Sequence, residues 1–135
     1  MRKTEQRVWD SMKRNMPSSM WMRRIENEVG EGEADVWIGM SGRQVWVELK
    51  AAKLPARATT RVMGDDGLRL SQINWHLKMA SLGLETWVLI RDDNMQLYLL
   101  PGALADKMND MCVADLMVHS EAADWEGIEK CLLNQ

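Results

Sequence analysis

Phenylalanine is absent from these 135 residues, tyrosine occurs once, proline three times, and cysteine and histidine twice each. Each shortage removes a class of answer. Cys112 and Cys131 lie outside any CxxC and away from a clustered histidine set, which excludes a disulfide framework and a zinc site and leaves two reduced structural thiols. The longest apolar runs, such as Trp87-Val88-Leu89-Ile90, fall far short of the ~20 residues a bilayer demands, so no membrane span is expected. No apolar stretch follows Met1-Arg2-Lys3-Thr4-Glu5-Gln6-Arg7, so a secretory signal is not expected either, and the reading is cytoplasmic. Internal repeats and low-complexity tracts are missing too.

What is present is an ordinary globular balance, 46% hydrophobic and 27% charged, in a length that suits one domain. Twelve methionines and seven tryptophans can fill the core space that phenylalanine usually takes. The formal charge of -3 conceals an asymmetry. Residues 1–69 carry thirteen Lys or Arg against ten Asp or Glu, and residues 70–135 carry four against ten. A surface facing a polyanion is therefore expected from the first half.

Val8, Met12 and Met16 recur every fourth residue and predict a helix over 4–16, with Glu5 and Trp9 on the neighbouring stripe and Pro17 beyond its end. An extended segment is expected around 20–29, ending at Gly30-Glu31-Gly32. Residues 34–38 and 44–51 predict an antiparallel hairpin joined by a four-residue loop, Met40 to Arg43. Val36, Ile38, Val45, Val47 and Leu49 fall on its core face, and Asp35, Trp37, Trp46, Glu48 and Lys50 on the other. Trp37 and Trp46 read as a cross-strand aromatic pair, with stacking on a splayed base as the rarer use. A long loop over 53–67 precedes a helix over 69–82 with the apolar stripe Leu70, Ile73, Leu77 and Ala80, stopped by Gly83. His76 reads as a surface or packed imidazole on that helix. Strands over 85–91 and 95–100, a short helix after Pro101 and a helix over 121–133 complete the expected order.

The hairpin register sets Asp35 opposite Glu48. Directly opposed side chains start ~5 Å apart, so two carboxylates there repel unless a proton or cation lies between them. A hard divalent ion suits an all-oxygen pair, Mg2+ or Mn2+ before zinc. Lys50, two residues beyond Glu48, points to the same face. Asp, Glu and Lys around one ion outline a phosphodiester-cleaving site, in which the lysine offsets charge building on the phosphate.

Asp35 followed by Glu48-Leu49-Lys50 resembles the PD-(D/E)xK nuclease signature. Gly30-Glu31-Gly32-Glu33-Ala34-Asp35, then Val45-Trp46-Val47-Glu48-Leu49-Lys50, then Gln72-Ile73-Asn74-Trp75 and Gly83, are similar to the VRR-NUC and phage Holliday-junction-resolvase-like branch. Ala34 stands where that branch usually has proline, which supplies stiffness and no ligand. The resemblance implies an α/β fold, a restriction-endonuclease-like core with a central mixed β-sheet flanked by helices in αβββαβ order. It covers about Glu5 to Leu100, and the chain is expected to form one nuclease domain over 1–135, with 101–135 a helical C-terminal extension. It implies a Mg2+-dependent (or Mn2+-dependent) endonuclease acting on DNA, structure-selective for branched substrates, working as a homodimer, and phage-type, hence in host cytoplasm. The alternative is a catalytically inactive nuclease-fold DNA-binding protein. The implied catalytic set is Asp35, Glu48, Lys50 and Gln72, with Glu5 or Glu26 as an additional acid, and the implied metal set is Asp35, Glu48 and Leu49. Lys53, Arg57, Arg61 and Arg69 are the expected DNA contacts, because they follow Lys50 along the loop into the helix.

Overall fold

In the computed structural model, which describes residues 2–25 and 32–134, ten helices and strands build one five-stranded mixed sheet with helices on both faces. The chain runs α1 (Lys3–Asn15), β1 (Trp21–Arg24), β2 (Val36–Met40), β3 (Arg43–Ala52), α2 (Leu70–Ser81), β4 (Thr86–Asp92) and β5 (Leu97–Pro101). It closes with α3 (Ala105–Met108), α4 (Val113–His119) and α5 (Trp125–Leu132). Spatial order equals chain order, β1-β2-β3-β4-β5. Only β3 and β4 are parallel, and the crossover between them carries α2. Among the described residues no helix is long and apolar enough to cross a membrane.

Strand alternation divides the core in two. On one face Val36, Ile38, Val45, Val47, Leu49, Leu89 and Leu99 pack against Val8 and Met12 of α1 and Ile128 and Leu132 of α5, all fully buried. On the other face Val88, Ile90, Tyr98 and Leu100 meet Met63, Leu68, Met108 and Leu116. Helix α1 also carries Glu5 in its first turn and Lys13 and Arg14 in its last, the order that complements the helix dipole.

The hairpin register matches the sequence reading, with Trp37 against Trp46 and Gly39 against Gln44. Its turn is tighter than expected. Met40 pairs with Arg43, leaving Ser41-Gly42 as a two-residue turn. The expected stripe of α2 is corrected more deeply. Leu70 is exposed, Ile73, Leu77 and Ala80 are half-buried, and the helix buries Gln72 and His76. The helix ends as expected at Gly83, where Gly83 N–H donates to Ala80 O and Leu84 N–H to Met79 O, the two bonds of a Schellman cap. Helix α4 was not anticipated, and α5 begins four residues later than the expected 121 because Asp124 caps it by accepting from Gly127 N–H at 2.7 Å. Residues 61–68 are less loop-like than expected. Val62 and Met63 are buried, and Val62 N–H donates to Met111 O. Both cysteines are free, as anticipated.

Candidate active site

The face of β3 opposite the α1 core points Glu48 and Lys50 under the start of α2, and both are buried. Asp35 arrives from the residue before β2. Its Oδ2 accepts from Leu49 N–H at 2.8 Å, which fastens it to the strand edge just past the last β2–β3 rung. In an extended chain a residue's N–H and C=O share an edge, so the Leu49 carbonyl lies on the Asp35 side too.

Helix α2 closes over the carboxylates with polar groups. Gln72 Oε1 accepts from Arg69 N–H at the helix N-terminus, 2.9 Å, while its Nε2 donates to Glu48 Oε2 at 3.3 Å. One amide therefore ends the helix and orients the acid. One turn on, His76 Nε2 stands 3.7 Å from Glu48 Oε1, and neither atom has a hydrogen-bond partner. The other imidazole nitrogen, Nδ1, is 2.8 Å from Thr86 Oγ1. Two close approaches fix this helix. Gly32, at φ +87°, leaves no room for a side chain, since a Cβ there would sit 2.2 Å from Ser71 O. A Cβ on Gly102 would sit 1.9 Å from Thr86 Oγ1 and 2.8 Å from His76 Nδ1. The second glycine of Gly30-Glu31-Gly32 thus has a packing reason: it seats the loop on the helix that carries Gln72.

The electrostatics follow from burial. The Asp35 carboxyl is pushed up to about 8, first by loss of water and then by hydrogen bonding and repulsion from Glu48. Burial also raises Glu48, against the pull of Asp35 and Lys50. His76 is held down to about 4, chiefly by burial, so its ring is neutral at pH 7. The pair of acids cannot carry two full negative charges here without a cation.

Among the expected site residues, Asp35, Glu48, Lys50 and Gln72 converge, and Glu5 joins them, its Oε1 4.0 Å from Lys50 Nζ. Arg2 holds Glu5 at 3.4 Å and Asp66 at 2.8 Å, tying α1 to the crossover. Glu26 lies outside the described residues. Lys53, Arg57 and Arg61 sit on the crossover loop and are exposed, with Arg61 3.8 Å from Asp110. Arg69 occupies the N-cap of α2. His76 and Thr86 were missed. The available signal was the spacing of four between Gln72 and His76, which puts both on one face of a helix. Trp37 and Trp46 are cross-strand partners, as expected, but the ring contact of Trp46 goes elsewhere. Trp46 meets Trp75 edge-on, centroids 5.7 Å apart, and the Trp37 ring lies across the space above Gly39.

A mixed five-stranded sheet flanked by helices is an α/β fold that matches a resolvase structure. A solved structure of similar fold is Hjc, a Holliday junction resolvase from the archaeal hyperthermophile Archaeoglobus fulgidus, with a TM-score of 0.59 and 12% identity over 95% of this chain and 99% of that one. No family model and no curated protein matches the sequence. The likeness is one of fold, and the resemblance to the VRR-NUC branch rests on the motifs.

Proposed function

We propose that the protein is a divalent-metal-dependent DNA endonuclease that hydrolyses phosphodiester bonds in branched or junction DNA. The observation that carries the reading is the Asp35–Glu48 pair, Asp35 half-buried and Glu48 buried with its Oε1 lacking a hydrogen-bond partner, beside a buried lysine. A cation in place of the shared proton satisfies both acids at once. Two carboxylates and one backbone carbonyl fit an ion that keeps most of its own water, which is the habit of Mg2+. Asp35, Glu48 and the Leu49 carbonyl would hold it, and it would supply Lewis acidity toward a phosphate oxygen and a water.

The chain's own groups do the rest. Lys50 presents an ammonium to the charge that builds on the phosphate, and Glu5 keeps that ammonium from swinging onto the acids. Gln72 fixes the rotation of the Glu48 carboxylate. Arg57, Arg61 and Lys53 supply charge along the approach, where phosphate contacts need no sequence preference. Cutting two strands of a symmetric junction calls for two such sites, hence a homodimer.

The test is incubation of the full chain with four-way junction, flap and plain duplex DNA in Mg2+, Mn2+ or EDTA. Nicks near the branch are expected with either metal and none in EDTA. Glu48→Gln should lose both cleavage and Mn2+ heat in calorimetry, whereas Lys50→Ala should keep the heat and lose the cleavage. Undiminished Mn2+ binding in Asp35→Asn and Glu48→Gln would sink the proposed site. Tight junction binding with no cleavage in either metal would identify the inactive DNA-binding alternative.

A further inference from the structure

The sheet face that bears Glu48 and Lys50 continues, on its other side, into a surface built of tryptophan. Partners in an antiparallel ladder share a face, so the pairings Trp37↔Trp46, Gly39↔Gln44, Arg23↔Trp37 and Trp21↔Gly39 put all of these side chains with Glu48. The α1 and α5 core lies behind them, on the opposite face. Trp21 is 61% exposed, and the Arg23 guanidinium lies 5.2 Å from its ring centroid. Trp37 and Trp46 are half-buried, and Trp37 Nε1 donates to Gln44 Oε1 at 2.7 Å, which fixes its ring. On the paired rungs of β1 and β2 this face carries Trp21, Arg23, Trp37 and Gly39, with Gln44 and Trp46 beside them on β3.

We infer that this face is a stacking platform for an unpaired segment of the DNA strand that leaves the scissile phosphate. The placement of that phosphate rests on the proposed endonuclease reading; the platform itself does not. At 3.3 Å per residue along a strand and ~4.8 Å between strands, Trp46, Trp37 and Trp21 lie roughly 7, 8 and 16 Å from Glu48. An indole face accepts any base that is not already stacked, and an adjacent guanidinium answers the phosphate that follows it. Duplex DNA offers no free base face.

The experiment uses the full chain in EDTA, so that cleavage plays no part, with oligo(dT) of about 12 nucleotides as the probe and tryptophan fluorescence quenching as the readout. Trp21→Ala should weaken oligo(dT) binding about tenfold, since base stacking on an aromatic side chain is worth that much. Trp21→Tyr should restore most of it, and affinity for a blunt hairpin duplex should stay within about twofold. The slope of log affinity against log salt should be unchanged in Trp21→Ala and flatter in Arg23→Ala, because only the cation displaces counterions. Trp37→Ala should weaken oligo(dT) similarly. Equal oligo(dT) affinity in wild type and both alanine variants would overturn the platform, as would sedimentation showing that Trp21→Ala acts only by splitting a dimer. Quenching without any cleavage of branched DNA would leave the platform standing and remove the endonuclease reading. Cleavage without quenching would do the reverse.

Discussion

Among the described residues Glu48 and Asp92 are the two most deeply buried carboxylates, and their surroundings differ in kind. Asp92, 3% exposed, is saturated: Oδ1 accepts from Asn94 N–H and Gln96 N–H at 2.8 and 3.0 Å, and Oδ2 from the Tyr98 hydroxyl at 2.9 Å. Glu48, 1% exposed, accepts from Gln72 Nε2 and shares a hydrogen bond with Asp35, yet its Oε1 has no hydrogen-bond partner. Saturation marks Asp92 as a clamp on the β4–β5 turn, where it also helps push the Tyr98 hydroxyl up to about 12. Leaving Glu48 Oε1 without a partner costs stability, and under the proposed reading that oxygen is kept for a ligand. Burial alone does not separate structure from function; the state of the lone pairs does.

The sharpest way to break this comparison is to remove each acid. Glu48→Gln should lower cleavage of branched DNA by about a thousandfold or more while leaving the melting temperature equal or higher, because a neutral amide removes a desolvated charge. Asp92→Ala should do the opposite. Losing three hydrogen bonds to one carboxylate should cost about 3 kcal/mol, or roughly 10 °C in Tm, with cleavage per folded molecule little changed. A Glu48→Gln variant that unfolds, or an Asp92→Ala variant that keeps its Tm, would erase the distinction.

Proton linkage sharpens it further. The folded-state value of Asp35, about 8, stands above its ordinary 3.8, so the metal-free folded chain binds the extra proton between those limits. Its contribution to stability is complete below about pH 4 and is lost as pH rises toward 8. Thermal unfolding in EDTA should show Tm falling over that window, and Asp35→Asn should flatten the fall by about 5 °C at its upper end. Saturating Mn2+ should reverse the trend, since the ion binds the deprotonated pair. A pH-independent Tm in EDTA would show that the two acids are not coupled.

Smaller effects test the surroundings. Thr86→Val removes the hydroxyl at His76 Nδ1 and should cost about 1 kcal/mol in denaturant unfolding, with a drop in cleavage as the ring beside Glu48 loosens. Smallest of all, Arg57→Ala should flatten the salt slope of duplex binding by about one unit. Arg61→Ala should flatten it less, because Arg61 already faces Asp110.

Strand alternation is why half of this site was legible in the sequence. With Val45, Val47 and Leu49 committed to the core, Trp46, Glu48 and Lys50 had to share the other face, and a two-residue error in the turn did not move the register. The helix half was obscured because apolar periodicity assumes that a helix buries its oily stripe. Here α2 lays Gln72 and His76 on polar partners and leaves Leu70 in water, so the rule selected the wrong side. Arg69 stands at the start of the helix that carries Gln72, as the sequence reading has it. Helix α4 escaped notice because Met117 and Val118 are exposed while Leu116 alone is buried, a pattern with no readable period.

The parallel β3–β4 pair also imposes an order in time. Asp35 and Glu48 belong to a local hairpin, whose closure across Ser41-Gly42 takes microseconds. Gln72, His76 and Thr86 reach Glu48 only after residues 53–85 loop back, and long loop closure slows folding. The acids are thus brought together early, in water and with ordinary acidity, and are dried and raised in pKa only when the crossover docks. A nascent chain would therefore acquire its reactive chemistry last, after the scaffold that must contain it.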